Sequence, residues 1–342
     1  MQRRHDPIER AEERNGDGST DLYDVSTWEP RSILDRLAYA LYKVGRYGFR
    51  AAILLFALGI TLVLLVSPAA VVLEDPFVAF FFGLSIVPAA LLAAYIWYAD
   101  ITTSEPLSLL VVTFLLAVLF ATFAALVNSS TQTLFGVSIG GSILYFYLIV
   151  GPIEETVKLL AVQSFAYRSD SFNAVIDGAV YGAVAGLGFA AIENVLYISR
   201  DIGQAPPEGN LFLAASGIAT VRALAGPGHV IYSAIAGYYL GLAKFNRNYA
   251  GPIILKGLLV AAFVHGTYNV TVGFVPTILA DLLPLGFGVA FVVYVVVYDL
   301  TIGYYLYRKI SRYRDTYRAV RGDEEVSQSE VTEFDPPNRR RD

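Results

Sequence analysis

Cysteine is absent from the 342 residues, methionine occurs once, tryptophan twice and histidine three times. The missing cysteine excludes disulfides, thiolate metal ligands and a cysteine nucleophile. Charge is scarce too, at 16% of residues, against roughly 25% in a soluble globular domain. The net charge of −5 sits mostly in two tails. The basic residues hug the ends of apolar blocks instead of forming a surface interleaved with aromatics, so nothing favours nucleic acid as a partner. Residues 1–30 are polar, so the chain is not expected to open on a cleavable secretory signal; they lack the apolar content to pack and read as a disordered tail.

What the chain has in abundance is long apolar runs. Residues 51–73, 77–98 and 107–127 contain no Asp, Glu, Lys or Arg, and about 20 such residues cross a hydrocarbon core of ~30 Å as helix. Further blocks follow at 143–166, 172–199, 228–243, 252–275 and 285–307, with a shorter one at 211–226. The fold class is therefore an all-α polytopic membrane protein in a lipid bilayer. A membrane domain spans 51–307, with its chemical core at 143–275. Before it, residues 31–47 carry an apolar stripe (Leu34, Leu37, Ala38, Leu41) beside Arg36 and Lys43, as in a basic interfacial helix. After it, 308–342 is a basic, then acidic tail.

Arg31, Arg36, Lys43, Arg46 and Arg50 place the N-terminal end in the cytoplasm, and six Lys and Arg between 308 and 321 place the C-terminal end there too. Both ends inside demand an even number of crossings. The 16-residue block 211–226 contains Arg222 and ends at Gly226-Pro227-Gly228, so it reads as re-entrant or interfacial, leaving about eight transmembrane helices.

The first three spans read as chemically blank; the rest do not. Glu154, Glu155 and Lys158 lie in the fourth span and Asp177, Glu193 and Asn194 in the fifth. His229 opens the sixth; His265 and Asn269 lie in the seventh. An ionisable group at mid-bilayer costs at least ~2.5–3.5 kcal/mol, so these groups face an interior and need one another. With eight spans, Glu154, Glu193, His229 and His265 all fall in the outer half of the bilayer. Gly178, Gly182, Gly186 and Ala190 form a small-residue row on one helix, and His229, Ser233, Gly237 and Gly241 form another, suited to close packing. Lys158 is read as a structural partner for Glu154 or Asp177, Asp177 as a cap or charge partner, and Asp299 and Arg222 as structural.

Four motifs now stand in order on separate spans: Glu154-Glu155-Thr-Val-Lys158, Phe189-Ala-Ala-Ile-Glu193-Asn194, an isolated His229, and His265-Gly-Thr-Tyr-Asn269. The sequence resembles the PrsW-like intramembrane proteases, relatives of the CAAX prenyl endopeptidases. The resemblance implies a membrane-embedded endopeptidase acting on membrane-anchored proteins. It assigns water activation to the first glutamate of the pair, Glu154, and oxyanion stabilisation to His265 and Asn269. Where the CAAX pattern has a histidine four residues after a phenylalanine, this chain has Glu193, which favours the PrsW-like branch. His229, His265 and a carboxylate from Glu193 or Glu155 would supply a catalytic zinc set, while the CAAX relatives imply metal-free glutamate catalysis; both stay open. The rival class is a proton- or ion-coupled transporter using the same Glu/His cluster, although no inverted repeat or matched pair of broken helices is visible.

Overall fold

The computed structural model describes residues 21, 23, 29–102, 105–204 and 209–333. The tail assignments for most of 1–30 and for 334–342 lie outside the described residues. The chain divides into two compact units, 1–59 and 60–342. The first contains the start of helix α1 (Ile33–Glu74). There the Ser32 hydroxyl accepts from the Asp35 amide at 3.0 Å and the Asp35 carboxylate accepts from the Ser32 amide at 2.8 Å, a reciprocal cap of two otherwise unpaired donors. The basic segment read as an interfacial helix lies within α1.

The second unit is a helical bundle. After α1 come α2 (Pro76–Tyr98), α3 (Leu107–Phe135), α4 (Ile139–Tyr145), a single π turn (Phe146–Val150), α5 (Gly151–Ser164) and α6 (Val175–Gln204). They are followed by α7 (Leu211–Phe245), α8 (Ala250–Thr271), the short α9 (Val275–Leu282) and α10 (Phe287–Glu333). Among the described residues, six helices are long and apolar enough to cross a membrane: α2, α3, α6, α7, α8 with the turn before it, and α10. Large apolar side chains point outward along them, Leu91, Leu115, Phe263 and Leu300 among them, each more than half exposed. On a water-soluble surface these would be aggregation-prone patches; against lipid they are the solvated face.

Polar caps and prolines set the helix ends. Asp75 accepts from the amides of Phe77 and Val78, with Pro76 in the first helical position, where its missing N–H costs nothing. Within the fourth block, Pro152 cannot donate to residue 148, and the chain answers with one widened turn in which the Gly151 amide bonds the Phe146 carbonyl five residues back. Gly151 is required there: a Cβ on it would stand 2.6 Å from the Ala262 carbonyl oxygen of α8.

The core is α6, buried without interruption from Ile176 to Ala183, and packed along its length on α7. The two small-residue rows face each other. A Cβ on Gly182 would lie 2.3 Å from the Ser233 carbonyl oxygen, and one on Gly186 would lie 2.3 Å from that of His229. Backbone meets backbone, with no side chain between.

Two expectations need correction. The block 211–226 is not a separate re-entrant or interfacial segment: it and 228–243 form one 35-residue helix, α7, with Pro227 inside it. A helix in a bilayer has no water to take up a broken turn, and flanking helices satisfy the groups that a proline frees, so Gly-Pro-Gly does not end it. The last apolar block, expected to end at 307, runs on as helix to Glu333.

Candidate active site

α3, the end of α4, the π turn, α5, α6, α7, α8 and α10 line a cavity of about 560 Å³. Of the sequence-predicted residues, Glu154, Glu193, His229, His265 and Asn269 line it, whereas Glu155 and Asn194 stand behind its wall. Glu154 and Glu155 are neighbours on α5, about 100° apart around the helix, and that rotation divides their surroundings. Glu155 is fully buried. One of its oxygens lies 2.7 Å from Lys158 Nζ and 2.8 Å from His265 Nδ1; the other accepts from the Ser233 hydroxyl at 3.3 Å. Glu154 accepts from Asn128 Nδ2 at 3.0 Å on one oxygen. Its other oxygen has no hydrogen-bond partner among the described residues and lies 3.6 Å from His265 Nε2.

The histidine tautomers follow from these partners. Glu155 can only accept, so His265 Nδ1 carries the hydrogen and Nε2 turns a lone pair toward Glu154. Two electron-rich atoms thus face each other in a buried space. At His229 the order is reversed: the Lys158 ammonium donates to Nδ1 at 3.0 Å, so Nε2–H donates to Glu193 at 2.9 Å. The two imidazole rings meet edge to face with centroids 5.1 Å apart. Lys158, which the sequence paired with Glu154 or Asp177, does pair with Glu154 at 4.0 Å, binds Glu155 more closely at 2.7 Å, and sits 4.2 Å above the Phe189 ring. Asp177 does act as a cap, accepting from the amides of Asn173 and Ala174.

Glu154, His229 and His265 each offer a donor atom within 4.8 Å of the others. Glu193, offered from the sequence as the metal-binding carboxylate, is held instead by His229 and by Arg222 Nη2 at 2.7 Å.

A profile described as PrsW family intramembrane metalloprotease matches residues 105–301. The chain belongs to the PrsW family. Named relatives include Protease PrsW of Geobacillus kaustophilus (strain HTA426), 30% identical over 187 residues, covering 54% of this chain and 76% of that protein. Protease PrsW of Bacillus subtilis (strain 168) is 31% identical over 186 residues, 54% and 78%. Protease PrsW of Clostridioides difficile (strain 630) is 28% identical over 192 residues, 55% and 77%. No solved structure matches. As a PrsW-family member the chain is a membrane protease, which sets aside the transporter reading.

Two residues around this PrsW-family cavity escaped the sequence reading. Asn128 closes a block that looked chemically blank, yet it holds Glu154. Arg222, read as structural, donates from Nη2 to Glu193 and from Nε to Asn194 at 2.9 Å, while Asn194 Nδ2 bonds the Ser85 hydroxyl at 2.9 Å. An arginine inside an apolar block was the available signal: it needs a carboxylate. Arg222→Met leaves Glu193 with His229 alone. The expected loss is near the lower end of the ~3–5 kcal/mol for breaking a buried pair, because the Glu193 side chain is 18% exposed. Thermal unfolding in detergent reads it, and Arg222→Lys should recover part.

Proposed function

We propose that the chain hydrolyses a peptide bond of a membrane-anchored protein within this cavity, with Glu154 as the group that activates water. The observation that carries the reading is the open oxygen of Glu154, buried and aimed at the His265 lone pair beside a cavity of about 560 Å³. Glu154 takes a proton from water as it attacks the carbonyl and returns it to the leaving amine, the two proton transfers that peptide hydrolysis requires. Asn269, one helical turn beyond His265, is placed to donate to the oxyanion. Glu155 positions His265 through Nδ1 and acts only through it, while Lys158 keeps Glu155 ionised and Arg222 anchors Glu193. Both termini lie in the cytoplasm under the charge rule, which puts the cut near the outer face.

The residues fit a zinc ion. Glu154 and His265 offer an oxygen and a lone pair facing each other, and His229 would complete a two-histidine, one-carboxylate set by releasing its Nε2 proton from the Glu193 contact while taking one at Nδ1 from Lys158, so that the ring stays neutral. The Glu155–His265 contact is the carboxylate–histidine support usual behind a metal ligand. Here His265 moves from oxyanion donor to ligand. When bound, zinc would supply Lewis-acid polarisation of the carbonyl and of water.

The test is cleavage of a panel of single-span substrates by purified protein, with product masses locating the cut. Loss of cleavage in both Glu154→Gln and His265→Ala is expected; retention in either overturns the assignment. Metal analysis of the same samples should find about one zinc per chain, absent from His265→Ala. Full activity in metal-free protein would exclude zinc and leave glutamate alone.

A further inference from the structure

Three more carboxylates converge at the opposite end of the bundle. Asp100 and Glu105 lie in the segment joining α2 to α3, and Asp177 lies in the first turn of α6. Sixteen residues of helix, ~24 Å, separate Asp177 from Glu193, so this group is distinct from the cavity. One oxygen from each lies within 4.8 Å of the other two. Glu105 is 3% exposed and Asp177 is 0%.

Each carboxylate is anchored through one oxygen and left open on the other. Asp100 Oδ1 accepts from the Thr102 amide at 2.8 Å and hydroxyl at 2.7 Å. Glu105 Oε2 accepts from the Tyr181 hydroxyl. Asp177 Oδ2 accepts from the amides of Asn173 at 2.6 Å and Ala174 at 2.8 Å. The opposite oxygens, Asp100 Oδ2, Glu105 Oε1 and Asp177 Oδ1, have no hydrogen-bond partner among the described residues. Every anchor is a donor, which favours the ionised form, yet three ionised oxygens at this spacing repel. Burial, with Asp177 and Asp100 alongside, pushes the Glu105 carboxyl up to about 8. Lys244 does not neutralise the group by contact, since its Nζ donates to the carbonyls of Tyr167 at 2.8 Å and Ser169 at 3.2 Å.

We propose that Asp100, Glu105 and Asp177 bind one hard divalent cation, Ca²⁺ or Mg²⁺, that clasps the α2–α3 segment to the start of α6. An all-oxygen donor set with no nitrogen or sulfur selects a hard ion over zinc. The fixed oxygens play the part of outer-shell hydrogen bonds that orient ligands. The site is independent of the proteolytic reading and stands or falls without it.

The test uses the full chain in detergent, stripped with chelator and titrated with Tb³⁺ under tyrosine excitation, Tyr181 serving as the antenna beside Glu105. Saturable luminescence displaced by Ca²⁺ or Mg²⁺ is expected. Asp100→Asn and Glu105→Gln should each weaken Tb³⁺ binding at least tenfold, and His265→Ala should leave it unchanged. No saturable signal, an unchanged signal in Asp100→Asn, or loss in His265→Ala would overturn the site and leave the three acids sharing protons. Should the carboxylate variants misfold, wild-type thermal unfolding decides: a midpoint raised by Ca²⁺ or Mg²⁺ supports the site, and one unmoved by both ions overturns it.

Discussion

Glu154→Gln abolishes cleavage while the protein stays folded. Glutamine has the shape of glutamate and keeps an oxygen for the Asn128 amide that now bonds Glu154 at 3.0 Å. Its NH₂ group can donate to the His265 lone pair, and Lys158 gives up only its longer 4.0 Å contact while keeping Glu155 at 2.7 Å, so stability should change by about 1 kcal/mol. What it cannot do is exchange a proton. Removing a general base costs ~10²–10⁴ in rate, so a drop of at least ~10² is expected in single-turnover cleavage. The neighbouring Glu155→Gln gives a different signature. It breaks a fully buried pair with Lys158 at 2.7 Å, worth ~3–5 kcal/mol when one partner is removed, so the unfolding midpoint falls together with activity. Cleavage by Glu154→Gln within tenfold of wild type would remove Glu154 from the chemistry.

The second large effect comes from a residue with no functional group. Gly186→Ala places a methyl 2.3 Å from the His229 carbonyl oxygen and 2.8 Å from the Val230 Cα. Both neighbours are backbone, so neither can swing aside, and α7 must retreat by about 1 Å to restore ordinary contact. Overpacking of this kind costs ~1–3 kcal/mol. The chemical cost is larger, because a displacement of ~1 Å at a reacting group is worth ~10² in rate, and the displaced backbone is that of His229 itself. Gly203 lies on the same helix with nothing within 4 Å of its Cβ position; Gly203→Ala is the control and should cleave like wild type. Equal activity of the two variants would mean that the α6–α7 spacing does not set the site.

Sequence alone was informative wherever a residue's chemistry is incompatible with lipid. Glutamates and histidines inside apolar blocks had to find one another, and Glu154 and His265 do lie 3.6 Å apart. The glycine rows were equally legible, since four-residue spacing puts them on one face whatever the fold. Residue chemistry alone left Glu154 and Glu155 open, because that depends on how α5 is turned toward α8; only the family resemblance favoured Glu154. Sequence also could not pair Lys158: spacings of three and four are both allowed on a helix, and His265, 110 residues away, fixes Glu155 as the closer partner. Arg222 was read as structural without a named partner because Gly226-Pro227-Gly228 was read as a stop. With the stop removed, Arg222 sits two turns before His229 on one rod, and both reach Glu193.

The widened turn at Phe146–Val150 has a bearing on how this enzyme could vary. One surplus residue is absorbed there, so each side chain beyond it occupies the angular place its predecessor would hold on a regular helix. Straightened out, α5 would present Ile153 where Glu154 now stands and bury Glu154 in the niche of Glu155. The phase of the carboxylate pair is thus stored in a backbone defect upstream of it. Regularising that turn with its full complement of residues would silence the protease with every acid and histidine still in the chain, whereas losing one amino acid from the stretch would remove the surplus and leave the pair in phase.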